Sequence, residues 1–371
     1  MDFDFSDEQL QLREAVAKWV EKAYTMERRR AIVSGGGFSR EAWNELAELG
    51  LTGLSVPEAH GGLGMGPMEA MVVMEELGRG LVLEPLSQAL MAGTMLTQVA
   101  SPNQQAQWLP QVASGQALIS LAWQERQGRY RMDACQTQAQ AAGTGHQLSG
   151  SKSLVAVGDQ AQAFIVSAQL DGKIALFLVD AQASGISCQG YGTQDGSRAA
   201  ELHFNATPAE LLTSDGLAAL SHALDLGAAC ACAEGVGAME RSLLITADYM
   251  NQRKQFGVAI ASFQALRHRL ADMKMQLELG RSMSYYAWLK LQAPEAERRM
   301  ALSRAKVQLG QSMRLVGQQS VQLHGGIGVT DEYIISHYFK KLTQLEMSFG
   351  DSLHHLGQVS ERMQDTAGVF A

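Results

Sequence analysis

The chain has 371 residues, 46% of them hydrophobic and 18% charged, and its 30 Lys and Arg against 38 Asp and Glu give a net charge of −8. That length allows two or three domains with substantial cores, which argues against a disordered chain. An acidic balance with no basic block longer than Arg28-Arg29-Arg30 argues against nucleic acid as a partner.

In chain order, Ser6 followed by Asp7 and Glu8 reads as an N-cap with acidic first-turn residues. An amphipathic opening helix is expected within 6–30, its apolar side formed by Leu10, Leu12, Val16, Trp19 and Val20. A second helix is expected over Ser39–Leu49, stopped by Gly50 in a left-handed cap. The loop from Val56 to Pro67 is rich in Gly, and helices resume over Met68–Leu77 and Leu86–Val99. No Asp, Glu, Lys or Arg stands between Glu84 and Glu125, but Gln88, Thr94, Gln98 and the polar residues after Ser101 break every apolar run well short of the roughly 20 residues that span a membrane. The opening Met-Asp-Phe-Asp-Phe lacks the features of a secretory signal, so a cytoplasmic chain without a membrane segment is expected. Strands are expected at 164–166 and 174–179, joined by the hairpin turn Asp171-Gly172, and at Ala199–Asn205. Long helical patterns return over 217–250, 262–292 and 296–322, with Pro294 as a break. The domains expected are therefore 1–117 helical, 118–216 β and 217–371 helical, an α+β multidomain chain. Four cysteines, at 135, 188, 230 and 232, fit neither a disulfide framework nor a zinc site, and no metal site is expected.

The most specific segments are Arg253-Lys254-Gln255-Phe256-Gly257, continuing through Phe263-Gln264, and Gln322-Leu323-His324-Gly325-Gly326-Ile327-Gly328. A permanently charged guanidinium suits a diphosphate, and a Gly-Gly pair lets backbone N–H groups approach phosphate oxygens. With the Pro57-Glu58 to Gly61-Gly62 loop and the three-part order, these segments resemble the acyl-CoA dehydrogenase family over nearly the whole chain. The resemblance implies a β-barrel-like middle domain, a C-terminal four-helix bundle and FAD as cofactor. It also implies an acyl-CoA substrate, electron transfer flavoprotein as acceptor, a dimer or tetramer, and a place in fatty acid or dicarboxylate degradation. By that resemblance Arg253, Phe256, Gln322, Gly325 and Gly326 reach the ADP half of the FAD of a neighbouring subunit.

The other half of the flavin site departs from the family. Where relatives carry Thr-Glu-Pro and Trp-Ile-Thr, this chain has Gln124-Glu125-Arg126 and Leu154-Val155-Ala156, losing an indole and two hydroxyls. The catalytic base, a glutamate that takes the α-proton of the thioester, is also missing from both places the family uses. The position 27 residues after Gln322 is Phe349, and the position 26 residues before Arg253 is Gly227. Asp351 and Glu346 stand as substitutes, with Asp225 nearby, although a solvated or capping carboxylate is the commoner reason for such residues. His324 is read as packing or a nucleotide contact, and His354-His355 as a solvated or dimer-facing pair.

The pattern resembles the subunit of a heteromeric acyl-CoA dehydrogenase that lacks the base, in particular the small subunit of the pimeloyl-CoA enzyme. Its partner would be a related large subunit carrying the flavin pocket and base. The low charged fraction suits a chain with extensive interface, where charge is depleted. Two alternatives remain: a self-sufficient homo-oligomeric dehydrogenase with a displaced carboxylate, and a non-enzymatic assembly or regulatory homologue.

Overall fold

The computed structural model describes residues 5–143 and 145–363. In chain order it has helices α1 (Asp7–Ala23), α2 (Met26–Ser34), α3 (Arg40–Glu48), α4 (Pro67–Arg79), α5 (Leu86–Val99) and α6 (Pro102–Ala113). Seven strands follow: β1 (Ile119–Ala122), β2 (Gln138–Ala142), β3 (Gly145–Ala156), β4 (Ala163–Leu170), β5 (Lys173–Asp180), β6 (Ile186–Gly192) and β7 (Arg198–Thr213). The remainder comprises α7 (Leu217–Gln252), a hairpin of β8 (Lys254–Gln255) and β9 (Val258–Ala259), α8 (Gln264–Leu289), α9 (Glu295–His324), α10 (Ile334–Met347) and α11 (Ser352–Glu361).

Local chemistry sets the boundaries. Ser6 forms a capping box with Gln9 at the start of α1. The opening helical stretch is split after Ala23: Tyr24 is buried against Trp19, and the Thr25 hydroxyl accepts from the Arg28 N–H, so a hydroxyl cap begins a new helix. The loop between β4 and β5 has two residues, Asp171 and Gly172, with φ of 50° and 79°, as a type I′ turn requires. Pro294 precedes α9 as its N-cap residue.

Packing groups the chain into two compact units that do not follow its sequential order. One contains Pro67–Val82 with the described residues up to Arg29 and from Ala228 onward; the other contains Arg30–Gly66 and Leu83–Gly227. In the first unit α1 and α4 join the C-terminal helices because a buried carboxylate draws cations from both. Glu75, 2% exposed, pairs with Arg13 at 3.2 Å and with Arg281, and Arg281 also pairs with Glu240 at 2.8 Å. Glycines let the helix backbones meet: a Cβ on Gly237 would stand 1.8 Å from the Glu75 carbonyl oxygen.

In the second unit the strands run in the order β1-β4-β2-β3-β7-β5, with β6 on β7, and β4 also pairs with β5. That last pairing closes the sheet into a barrel and removes the β4 and β5 edges. Its inward side chains, including Leu148, Phe164, Val166, Phe177, Leu202 and Phe204, form one core.

The close approach at Gly237 makes a testable contrast. Gly237→Ala is expected to destabilise the chain by about 1–3 kcal/mol through overpacking against backbone. Gly357→Ala, inside α11 with nothing within 4 Å of the new methyl, is expected to raise stability by up to about 1 kcal/mol. Thermal midpoints moving in the same direction for both would contradict this packing.

Candidate functional site

The predicted nucleotide-side residues lie on two segments of the helical unit. The Arg253 N–H donates to the Tyr249 carbonyl, and the Ile260 N–H donates to the Arg253 carbonyl, both at 2.8 Å, fixing the backbone where α7 enters the β8–β9 hairpin. Phe256 sits in the hairpin turn at φ 54° and is 92% exposed, its ring edge-on to Phe263. Tyr249 ties this segment to the glycine run. Its hydroxyl donates to the His324 carbonyl at 3.2 Å and its ring stacks on the His324 imidazole with centroids 4.3 Å apart.

Beyond His324, Gly325 has φ 66° and ψ −143°, a region open essentially to glycine alone. A Cβ on Gly325, Gly326 or Gly257 would meet nothing within 4 Å, so the side-chain face of each is open, although the Gly325 N–H donates to the carbonyls of Val321 and Gln322. Gln322 is exposed. Arg253 is exposed and has no ion pair among the described residues. His324 is buried, as the packing reading expected, and burial lowers its pKa. Its Nδ1 lies 2.8 Å from the Ser320 carbonyl, while its buried Nε2 has no partner among the described residues. An exposed cation, an exposed aromatic ring and uncovered glycine backbone fit the ADP half of a flavin.

The two positions at which the resemblance leads one to expect a base carry no carboxylate. Gly227 is a buried residue inside α7. Phe349 is half-buried at φ 57°, in a turn held from both sides. The Lys306 ammonium donates to the carbonyls of Leu345, Glu346 and Ser348 at 2.9, 3.1 and 2.8 Å, and His355 Nε2 lies 3.0 Å from the Phe349 carbonyl. Burial brings the Lys306 pKa down to about 8.

The substitute carboxylates are committed to structure. Glu346 is buried, accepts from the Ser352 N–H and hydroxyl at 3.0 and 2.6 Å, and faces Arg314 at 3.3 Å. Asp351 caps α11 by accepting from the His354 N–H at 2.8 Å, and Asp225 is buried. The expectation of a solvated or dimer-facing His354-His355 pair is corrected for His355. It is 7% exposed, with Nδ1 3.2 Å from the Ser303 hydroxyl, and burial lowers its pKa to about 3.

The barrel unit carries a cleft of about 600 Å³ where the altered flavin motifs meet. Gln124, Arg126, Ser153 and Leu154 line it, with Arg129, Tyr130, Gln189, Tyr191 and Glu201. Leu154 is 53% exposed at φ 54°, while Val155 is buried. Glu201 accepts from the Tyr191 hydroxyl at 2.8 Å and the Leu154 N–H at 3.4 Å, and faces Arg126 at 3.5 Å. Burial and the adjacent Glu201 push the Tyr191 phenol up to about 12. Around Glu201 the cleft's polar groups thus satisfy one another, and Leu154 stands where the resemblance would expect an indole. Sequence reasoning did not single out Glu201 as part of a cleft. Its strand alternation was visible, but the register that sets it opposite Gln189 arises from tertiary pairing.

Glu125, between two cleft residues, turns inward. It takes Lys152 Nζ at 2.8 Å, the Gln136 N–H at 2.7 Å and the Thr137 N–H at 3.1 Å. Burial alone would raise its pKa, but these partners hold it down to about 2. Among the described residues no cluster of three His, Cys, Asp or Glu could hold a metal ion, and no described helix is long and apolar enough to cross a membrane.

Known proteins agree with this architecture. Residues 6–116 match the acyl-CoA dehydrogenase N-terminal domain, and residues 214–364 match the acyl-CoA dehydrogenase C-terminal domain. The chain is 30% identical to the acyl-CoA dehydrogenase IpdE2 of Mycobacterium tuberculosis over 337 residues, covering 90% of this chain and 91% of the relative. Among solved structures, a chain of the Tcur3481-Tcur3483 steroid acyl-CoA dehydrogenase superposes with a TM-score of 0.90 at 30% identity, over 98% of this chain and 99% of that one. A chain of the ChsE4-ChsE5 complex from Mycobacterium tuberculosis superposes with a TM-score of 0.91 at 27% identity, over 99% of this chain and 100% of that one. The chain belongs to the acyl-CoA dehydrogenase superfamily.

The Glu125–Lys152 pair sets an acid response. With its folded pKa below the unfolded value, Glu125 contributes stability that is complete above about pH 5 and is lost as pH falls toward 2. Glu125→Gln is expected to flatten this acid slope in denaturant titrations. It should also lower stability at pH 7 by about 3–5 kcal/mol, because it leaves the Lys152 ammonium buried without a counter-charge. An unchanged acid slope would remove Glu125 as its source.

Proposed function

We propose that this chain is the base-lacking subunit of a heteromeric, FAD-dependent acyl-CoA dehydrogenase, of the kind resembled by the small subunit of the pimeloyl-CoA enzyme. The observation that carries the reading is Phe349. By the spacing of the resemblance it stands where the family's catalytic glutamate is expected, Gly227 stands at the alternative place, and Glu346 and Asp351 are engaged in holding α11. FAD is the cofactor of this family, and when bound it accepts the β-hydrogen of the acyl-CoA thioester as hydride.

In this reading Arg253 neutralises the diphosphate of a flavin held mainly by the related large subunit. Gly325 and Gly326, without side chains, let the oxygens approach the backbone of the glycine run, and Phe256 and Gln322 cover the adenosine end. The large subunit supplies the ring pocket and the base. The two-component acyl-CoA dehydrogenases among the solved neighbours support a partner-dependent form. The substrate is an acyl-CoA thioester, electron transfer flavoprotein is the electron acceptor, and the assembly is a heterotetramer in the cytoplasm.

The test is to purify the chain alone and together with a related large subunit and to compare flavin absorbance and acyl-CoA-dependent bleaching. The lone chain is expected to hold no stoichiometric FAD, whereas the complex holds FAD and is bleached. Stoichiometric FAD with turnover in the lone chain would overturn the proposal. Arg253→Ala in the complex is expected to weaken FAD retention by about tenfold to a hundredfold, the loss of charge-assisted hydrogen bonds to a phosphate.

A further inference from the structure

The inward-facing cluster beside the cleft contains a contact that an ion pair does not require. Lys152 Nζ, fully buried on β3, lies 2.8 Å from the Glu125 carboxylate and 3.1 Å from the Ser167 hydroxyl, and also 3.3 Å from the Cys135 sulfur. The Cys135 thiol is 8% exposed and lies 3.4 Å from the same Glu125 oxygen. One carboxylate therefore touches both an amine and a thiol that are already in van der Waals contact. With the nitrogen already against the sulfur and a carboxylate beside both, an oxygen added at the sulfur meets the amine before it meets solvent.

We propose that Cys135 and Lys152 form a covalent sulfur–oxygen–nitrogen bridge on reaction with dioxygen. The S–H bond and two N–H bonds of the ammonium break, and new S–O and O–N bonds form. Sulfur and nitrogen each give up two electrons and dioxygen takes four. One oxygen atom remains in the bridge and the other leaves as water. Of the four hydrogens on the thiol and ammonium, one stays on nitrogen, two leave in the water and one passes as a proton to Glu125.

The consequence reaches the cleft. The Gln136 and Thr137 N–H groups fold the segment after β1 around the Glu125 carboxylate, and that segment carries Arg126, Arg129 and Tyr130 on the cleft wall. Oxidation removes the Lys152 charge that holds Glu125 ionised and ties Cys135 directly to β3, so the cleft wall is coupled to the redox state of the protein.

Peptide mapping of the full chain tests the bridge. Protein kept anaerobic with a thiol reductant should give the tryptic peptide 132–152, which contains both residues. Protein held in oxygenated buffer should resist cleavage at Lys152 and give 132–173 instead, heavier by about 14 Da for one oxygen gained and two hydrogens lost, and revert on reduction. Cys135→Ser and Lys152→Arg should each abolish the mass change, and the wild-type map decides the matter even if either variant fails to fold. Cleavage at Lys152 with Cys135 as thiol, sulfinic or sulfonic acid would overturn the bridge. So would a link lighter by about 2 Da, the signature of a direct sulfur–nitrogen bond.

Discussion

A fully buried ammonium must be surrounded by oxygen, and at Lys306 that requirement shapes the most informative turn in the molecule. Its three acceptors are carbonyls at the end of α10, so the ammonium fixes the backbone where the chain leaves that helix. Glu346, received by the N-terminus of α11, and His355, received by the Phe349 carbonyl, complete the frame. Phe349 then adopts a left-handed conformation that bulky residues rarely take, because its neighbours impose it. The backbone at position 349 is therefore held by surrounding groups rather than by its own side chain.

The same logic operates elsewhere in each unit. Glu75 gathers Arg13 and Arg281 from helices distant in sequence, and Gly237 removes the side chain that would hold α7 away from the Glu75 backbone. In the barrel, Lys152 is satisfied by Glu125, Ser167 and a backbone carbonyl. Such pairs add little net stability over well-packed apolar groups, but removing one partner is severe, so they specify arrangement more than they strengthen it.

What the sequence made legible is what local chemistry decides. The uncharged Leu86–Val99 segment is a helix over those residues, Asp171-Gly172 is the hairpin turn, and Pro294 separates α8 from α9. The division of the opening helix at Tyr24 and Thr25 was missed because a single buried ring and a hydroxyl cap outweigh a continuous helical pattern. Burial of His355, the clamp at Lys306 and the place of Glu201 were also hidden, since each depends on residues tens of positions away. The site motifs were readable as residue types, but periodicity could not say that Glu125 turns inward while its neighbours Gln124 and Arg126 line the cleft.

The barrel cleft and the hairpin with its glycine run, the two places where the proposed function puts a flavin contact, differ in how their polar groups are satisfied. In the barrel cleft, Glu201, Tyr191, Arg126 and the Leu154 N–H are bonded to one another, so a ligand entering there would have to displace existing partners before gaining its own. At the hairpin and glycine run the position is reversed. Arg253 has no ion pair among the described residues, Phe256 is held almost wholly in solvent by a strained turn, and the backbone at Gly325 and Gly326 is uncovered. Exposing a large aromatic ring and constraining its backbone contribute little to the stability of the chain that carries them. They become favourable once another surface covers them, which is the physical condition the proposed partner contact would meet.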